Sequence, residues 1–170
     1  MPLTRGLVVN FPEGPNTVLA DLREIGPHTL LAPPRVYQRL MTIFTSRIAE
    51  TSWFKKKVYN TFKKFGDQTA MAKLHQQSVS TGVKFMYRLG DFLMFSAIRD
   101  HLGLARIKRA YIAGAALGDS TLTFFHSIGV NVKQTYGGTE LAGIACVQRD
   151  GDIQIGSGGV PLPNTEIKIS

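Results

Sequence analysis

Long apolar runs are what this sequence most lacks. No stretch of its 170 residues approaches the roughly 18 consecutive apolar positions that a membrane-spanning helix requires. Nor does the chain open on the charged, apolar, then small-residue pattern of a secretory leader. Cysteine is nearly absent: Cys146 alone excludes an internal disulfide framework and a cysteine-rich metal site, suits a reducing compartment, and is expected to be a small buried hydrophobe. His28, His75, His101 and His126 are scattered without ligand spacing and read as structural or surface groups. These absences set the expectation of a cytoplasmic protein with chain enough for one domain and a core.

Acid is missing in one place. The net charge is +8, yet Lys55, Lys56, Lys57, Lys63 and Lys64 crowd one acid-free stretch, and 8 − 5 leaves +3 for the remainder. The basicity is local. Trp53, Phe54, Tyr59, Phe62 and Phe65 interleave with these lysines, which leaves two readings of residues 53–65. One is a basic amphipathic helix packed on its own domain. The other is a peripheral contact at the inner membrane face, with aromatic rings entering the surface and lysines meeting anionic headgroups. No recognisable nucleic-acid module accompanies the charges, so no nucleic-acid partner is expected.

What is present reads as α/β. "GLVVNF" predicts a strand, and Val18, Leu22 and Ile25 predict a helix capped by Asn16 and stopped at Gly26-Pro27. "HTLLAPP" returns as a strand, completing a first βαβ unit. Val36, Leu40, Phe44 and Ile48 make the stripe of a helix that starts at Pro34. Residues 67–83 are polar and weakly patterned, and "KFMYRLGDFLMFSAIRDHLGL" is helical, broken by Gly90 and closed by Gly103. Phe92, Phe95, Phe124 and Phe125 are assigned to the core. In the last third, a strand over 107–113, a helix over 119–128 capped by Asp119 or Ser120, and a strand over 130–136 form a second βαβ unit. A β-hairpin turning at Asp150-Gly151 follows. The expected fold is thus parallel βαβ units with an inserted helical region and a hairpin near the end.

The second βαβ unit carries the chemistry. Its two strands lead into "GAALG" and "YGGTE", and parallel strands send both loops to the carboxyl edge, where open α/β sheets bind ligands. Tyr136 offers an aromatic face to a base. Gly137 and Gly138 can present amides to a phosphate oxygen, Thr139 adds a hydroxyl donor, and Glu140 is a hard oxygen ligand of the kind Mg²⁺ prefers. The same residues also fit a plain glycine turn with a polar rim. Residue chemistry leaves both readings open.

"QTYGGTE" resembles the Y-G-x-T-E motif of the adenylate-forming (AMP-binding) superfamily, which includes acyl-CoA synthetases, luciferases and peptide-synthetase adenylation domains. "AGAAL" at 113–117 is similar to the glycine-rich adenine-pocket motif that precedes it in those enzymes. "VVNFPEGPNTVLADLREIGPHTLLAPPRVYQRL", "IRDHLGLARIKRAY" and "GVPLPNTEIKI" resemble parts of bacterial long-chain fatty-acid–CoA ligases. The resemblance implies the large N-terminal domain of such an enzyme. It also implies ATP and Mg²⁺ at the site, with a long-chain fatty acid and CoA as the other reactants. Gly114, Ala115 and Ala116 would line the adenine pocket, Tyr136 would stack near adenine, Thr139 would hold the α-phosphate with Gly137 and Gly138, and Glu140 would bind Mg²⁺.

The family's phosphate loop ending in Pro-Lys-Gly, its T-G-D aspartate and its C-terminal lysine domain have no counterpart in the sequence; "RDGD" at 149–152 reads as a hairpin turn. Residues 1–170 are therefore expected to be a partial AMP-binding domain, an internal piece of a ligase that is inactive alone. The alternatives are an acyl-AMP ligase that loads a carrier protein, and a non-catalytic remnant that binds nucleotide or acyl chains.

Overall fold

The computed structural model describes residues 6–141 and 143–168. The strand predicted from "GLVVNF" does not form: Leu7, Val8, Val9 and Phe11 are exposed and belong to no regular element, and no strand pairs with them among the described residues. A β-branched run becomes a strand only where a neighbour completes its ladder, so the first expected βαβ unit is not made. The helix behind it, α1 (Val18–Ile25), is present, but its cap is Thr17 rather than Asn16. Thr17 donates its hydroxyl to Asp21 in the first turn at 2.7 Å.

Next come β1 (Thr29–Ala32) and α2 (Pro34–Ala49), with proline in the first helical turn as predicted. The stripe of α2 buries Tyr37, Leu40 and Phe44. Helix α3 (Trp53–Leu74) runs well past residue 65 and takes up much of the stretch read as weakly patterned. Its continuing buried face consists of Gly66, Thr69, Ala70 and Leu74, mostly small residues that a hydrophobic period does not register. Small size is what the packing needs: a Cβ on Gly66 would stand 2.8 Å from the Ser127 carbonyl oxygen across the interface.

Helix α4 (Thr81–Gly90) is not broken at Gly90. The glycine lies against the Phe62 ring, and the helix continues through a π-helical turn, Asp91–Phe95, into α5 (Ser96–His101). That turn separates two phenylalanines expected to behave alike: Phe95 is buried, whereas Phe92 is exposed.

The second βαβ unit forms as β2 (Arg109–Ile112), α6 (Asp119–Ser127) and β3 (Val132–Gly138). Gly118 occupies the cap of α6 without a side-chain bond, and Asp119 falls inside the first turn. β1 pairs parallel with β2 through Leu30↔Ala110, and β2 pairs parallel with β3 through Ala110↔Val132. Beyond a 3-10 turn (Thr139–Leu141), β4 (Gly143–Val147) returns antiparallel to β3, and β5 (Val160–Pro161) pairs antiparallel with β4. The sheet order is β1-β2-β3-β4-β5. The hairpin predicted at Asp150-Gly151 shrinks to one bridge, Arg149↔Asp152, because β4 finds its long partner in β3 instead.

The core joins α2, α3, α6 and the sheet. Phe124 and Phe125 of α6 are buried as expected, and so is Cys146 in β4. His126 is buried beside them, with Nε2 2.8 Å from the Val132 carbonyl. Burial holds its imidazole below the ordinary 6.5, outweighing the bond to Val132, which acts in the other direction. The unfolded chain therefore takes up this proton first as the pH falls below about 6.5. Stability should be full above that value and decline on acidification, and His126→Gln should flatten part of the decline. Urea unfolding of both proteins between about pH 7 and 5 checks this; parallel curves would contradict it.

Candidate functional site

Because β2 and β3 are parallel and in register through Ile112↔Gln134, the segments that follow them leave the sheet at the same edge. Thr135 reinforces the junction by donating its hydroxyl to the Ile112 carbonyl at 2.7 Å. Between the two exits lies an open cleft of about 520 Å³. Ala113 and Gly114 border it from the first loop, Thr135, Gly137, Gly138 and Thr139 from the second, and Gly143 and Ile144 from β4. The volume lies in the range of small-molecule sites, roughly 300–1,000 Å³.

The second loop is shaped by a close approach. A Cβ on Gly137 would stand 1.9 Å from the Gly143 carbonyl oxygen, so a side chain there cannot coexist with the β3–β4 pairing. The register shifts between Tyr136 and Gly137 at the same place. Such an irregularity re-aims the backbone that follows it. Behind it the chain enters the 3-10 turn carrying Thr139 and Glu140, both exposed. The Glu140 carboxylate folds back over the loop: a Cβ on Gly138 would lie 2.9 Å from its Oε2.

Of the residues singled out in the sequence, Gly114, Gly137, Gly138 and Thr139 meet around one cleft. Ala115 and Ala116 are exposed on the first loop without bordering it. Tyr136 is 60% exposed, paired with Cys146 across the strands, and its Cβ packs against Gly158. Glu140 is exposed and does not border the cleft, and no group of three His, Cys, Asp or Glu side chains among the described residues is placed to hold a metal.

Sequence reasoning missed Thr135, Gly143 and Ile144 at the cleft, and the buried Gln148 that bonds to β3. Gln148 is only 2% exposed. Its side chain accepts from the Gln134 amide at 2.9 Å and donates to the carbonyls of Gln154 at 2.5 Å and Ser157 at 2.9 Å. One buried amide thus ties β3 to the segment leading into β5. A lone polar residue closing the apolar run "IACV" was the available signal. The acids of "RDGD" have structural partners. Asp150 accepts from Lys133 at 2.5 Å and Asn131 at 2.6 Å, and the Lys133 hydrogen bond holds its carboxyl below the usual range. Asp152 accepts from Gln76 at 3.0 Å and Gln154 at 3.1 Å.

Comparison with known proteins shows the family. The family model described as AMP-binding enzyme matches residues 1–170. A long-chain-fatty-acid–CoA ligase of Xenopus laevis, ACSBG2, is 28% identical over 148 residues, covering 87% of this chain and 20% of the relative. The putative fatty-acid–CoA ligase fadD11 of Mycobacterium tuberculosis is 28% identical over 155 residues, 91% of this chain and 27% of the relative. ACSBG2 of Gallus gallus is 31% identical over 146 residues, 84% of this chain and 19% of the relative. The chain spans about a fifth to about a quarter of the length of these relatives. No solved structure matches it.

The Gly137 contact makes a direct prediction. Gly137→Ala must part β3 from β4 and should cost about 2–4 kcal/mol, at the upper end for one substitution. Amide exchange at Ile144, Ala145 and Cys146 should accelerate in the variant. Unchanged stability and exchange would show that the strands are not this close.

Proposed function

The chain belongs to the family of AMP-binding enzymes, and from that premise we propose that it supplies part of the nucleotide site of a fatty-acid–CoA ligase. The relatives' names give the reaction class. A long-chain fatty-acid carboxylate attacks the α-phosphorus of ATP, the α–β phosphoanhydride bond breaks, and acyl-AMP and pyrophosphate form. The CoA thiol then attacks the acyl carbonyl, loses its proton, and displaces AMP.

The observation that carries this reading is the meeting of Gly114 with Gly137, Gly138 and Thr139 around one cleft at the carboxyl edge of parallel strands. Each group has work in such a reaction. The first loop, Gly114 to Ala116, is small and exposed, and in this reading it forms one wall of the adenine pocket. Tyr136, which does not border the cleft itself, presents an exposed ring beside Gly137, and in this reading that ring stacks near the base. Thr139 offers a hydroxyl to the α-phosphate beside the amides of Gly137 and Gly138. Positioned donors of this kind hold the charge that builds on phosphate oxygens as the carboxylate attacks.

Glu140 is the residue that would hold Mg²⁺. The ion, when bound, neutralises phosphate charge and makes the α-phosphorus easier to attack. Glu140 itself contributes an exposed carboxylate, one residue from Thr139 and folded over Gly138. In this reading Thr139 and Glu140 serve the same phosphate, one as an anion-binding group and the other through the cation.

The test uses the intact protein and follows exchange of labelled pyrophosphate into ATP in the presence of a long-chain fatty acid. Thr139→Ala and Glu140→Ala should each lower the exchange rate by roughly 10²- to 10³-fold, the loss typical of removing one charge-stabilising group. Both residues are exposed, so the melting temperature should hardly move. Undiminished exchange in Glu140→Ala would overturn the assignment.

A further inference from the structure

The first turn of α3 buries none of its side chains against the other described residues. Trp53, Phe54, Lys55, Lys56 and Lys57 are all exposed, and the first residue of the helix to be buried is Tyr59. Trp53 is 71% exposed and Phe54 66%. Their rings stack on each other with centroids 6.3 Å apart, and the Lys57 ammonium lies 5.4 Å over the indole. Beside them runs an open groove of about 720 Å³, bordered by Trp53, Lys56, Lys57 and Lys64. It is separate from the cleft at the strand ends.

Charge decides what can cover this turn. No acidic residue occurs between Thr51 and Gly66. Lys63 pairs with Asp67, while Lys55, Lys56, Lys57 and Lys64 have no carboxylate partner among the described residues. A dry protein surface laid over the turn would have to desolvate adjacent ammonium groups. A single-stranded nucleic acid would match the charge and seek a free ring to stack on. Here Lys57 and Phe54 already lie against the indole. An anionic bilayer surface satisfies both halves of the turn at once. Aromatic rings settle at headgroup level, and lysine stems lie along the apolar boundary with their ammonium groups on lipid phosphates.

We propose that the Trp53–Lys57 turn docks the protein on an anionic membrane surface. The turn lies apart from the nucleotide cleft, so this inference stands independently of the catalytic reading.

The test is co-sedimentation of the intact protein with vesicles of phosphatidylcholine alone or of phosphatidylcholine mixed with phosphatidylglycerol. The protein should pellet with the mixed vesicles and stay in solution with the neutral ones. Replacing Trp53 and Phe54 together by Ala should weaken binding roughly tenfold or more. The triple change Lys55→Gln, Lys56→Gln, Lys57→Gln should weaken it roughly 100-fold. All five side chains are exposed, so the melting temperature should be unchanged and serves as the folding control. Failure to bind the mixed vesicles would overturn the proposal, as would equal binding by the aromatic double variant. So would binding to a single-stranded polynucleotide that is equally tight and depends on the same side chains.

Discussion

A series of aromatic contacts fixes where α6 lies, and the position of α6 decides where the site is. Tyr59 of α3 meets Phe44 of α2 at 5.5 Å, Phe44 meets Phe124 of α6 at 5.7 Å, Phe124 meets Phe125 at 5.1 Å, and Phe125 meets Tyr37 of α2 at 5.3 Å. Tyr37 then donates its hydroxyl to the Tyr111 carbonyl in β2 at 3.1 Å. Each such ring pair is worth about 0.5–1.5 kcal/mol beyond the area it buries. Together they bind the crossover helix to two other helices and to the strand before it. With α6 held there, β3 enters beside β2 and in the same direction, and the loops after both strands leave at one edge.

At that edge, close backbone packing shapes the loop. Gly137 is bare because the Gly143 carbonyl fills the space where its Cβ would be, and the irregularity this close approach creates turns Thr139 and Glu140 into their exposed positions. Gln148 ties β3 to the segment leading into β5 through three hydrogen bonds. The loop is therefore positioned by its backbone and supports, while its exposed side chains remain available to a ligand. This division suits chemistry that depends on placement and on charge stabilisation rather than on a covalent role for the protein.

Much of this was legible in the sequence, for reasons that differ by element. The stripe of α2 and the strand–helix–strand pattern over 107–136 announced themselves through period, because their buried faces carry large apolar residues. The two glycine loops followed from topology: parallel strands leave no choice about which edge their exits share. The second half of α3 stayed hidden because its contact face is Gly66, Thr69 and Ala70, where closeness replaces bulk. Phe92 and Phe95 diverged because a π-helical turn lies between their expected and actual faces. "GLVVNF" looked like a strand but found no partner strand, and β4 found β3 through Gly143, whose role is visible only when the backbone beside it is known. Pairing and close approach are properties of two segments, so one-dimensional patterns cannot carry them.

The central claim is that the cleft between Gly114 and Thr139 is where an adenylate sits. A crystal structure of the intact protein with AMP tests it most directly. The account predicts the phosphate within hydrogen-bonding distance of the Thr139 hydroxyl and the Gly137–Gly138 amides, with the base at the rim near Tyr136 and the Gly114–Ala116 loop. AMP bound elsewhere, with this cleft filled by water alone, would contradict it.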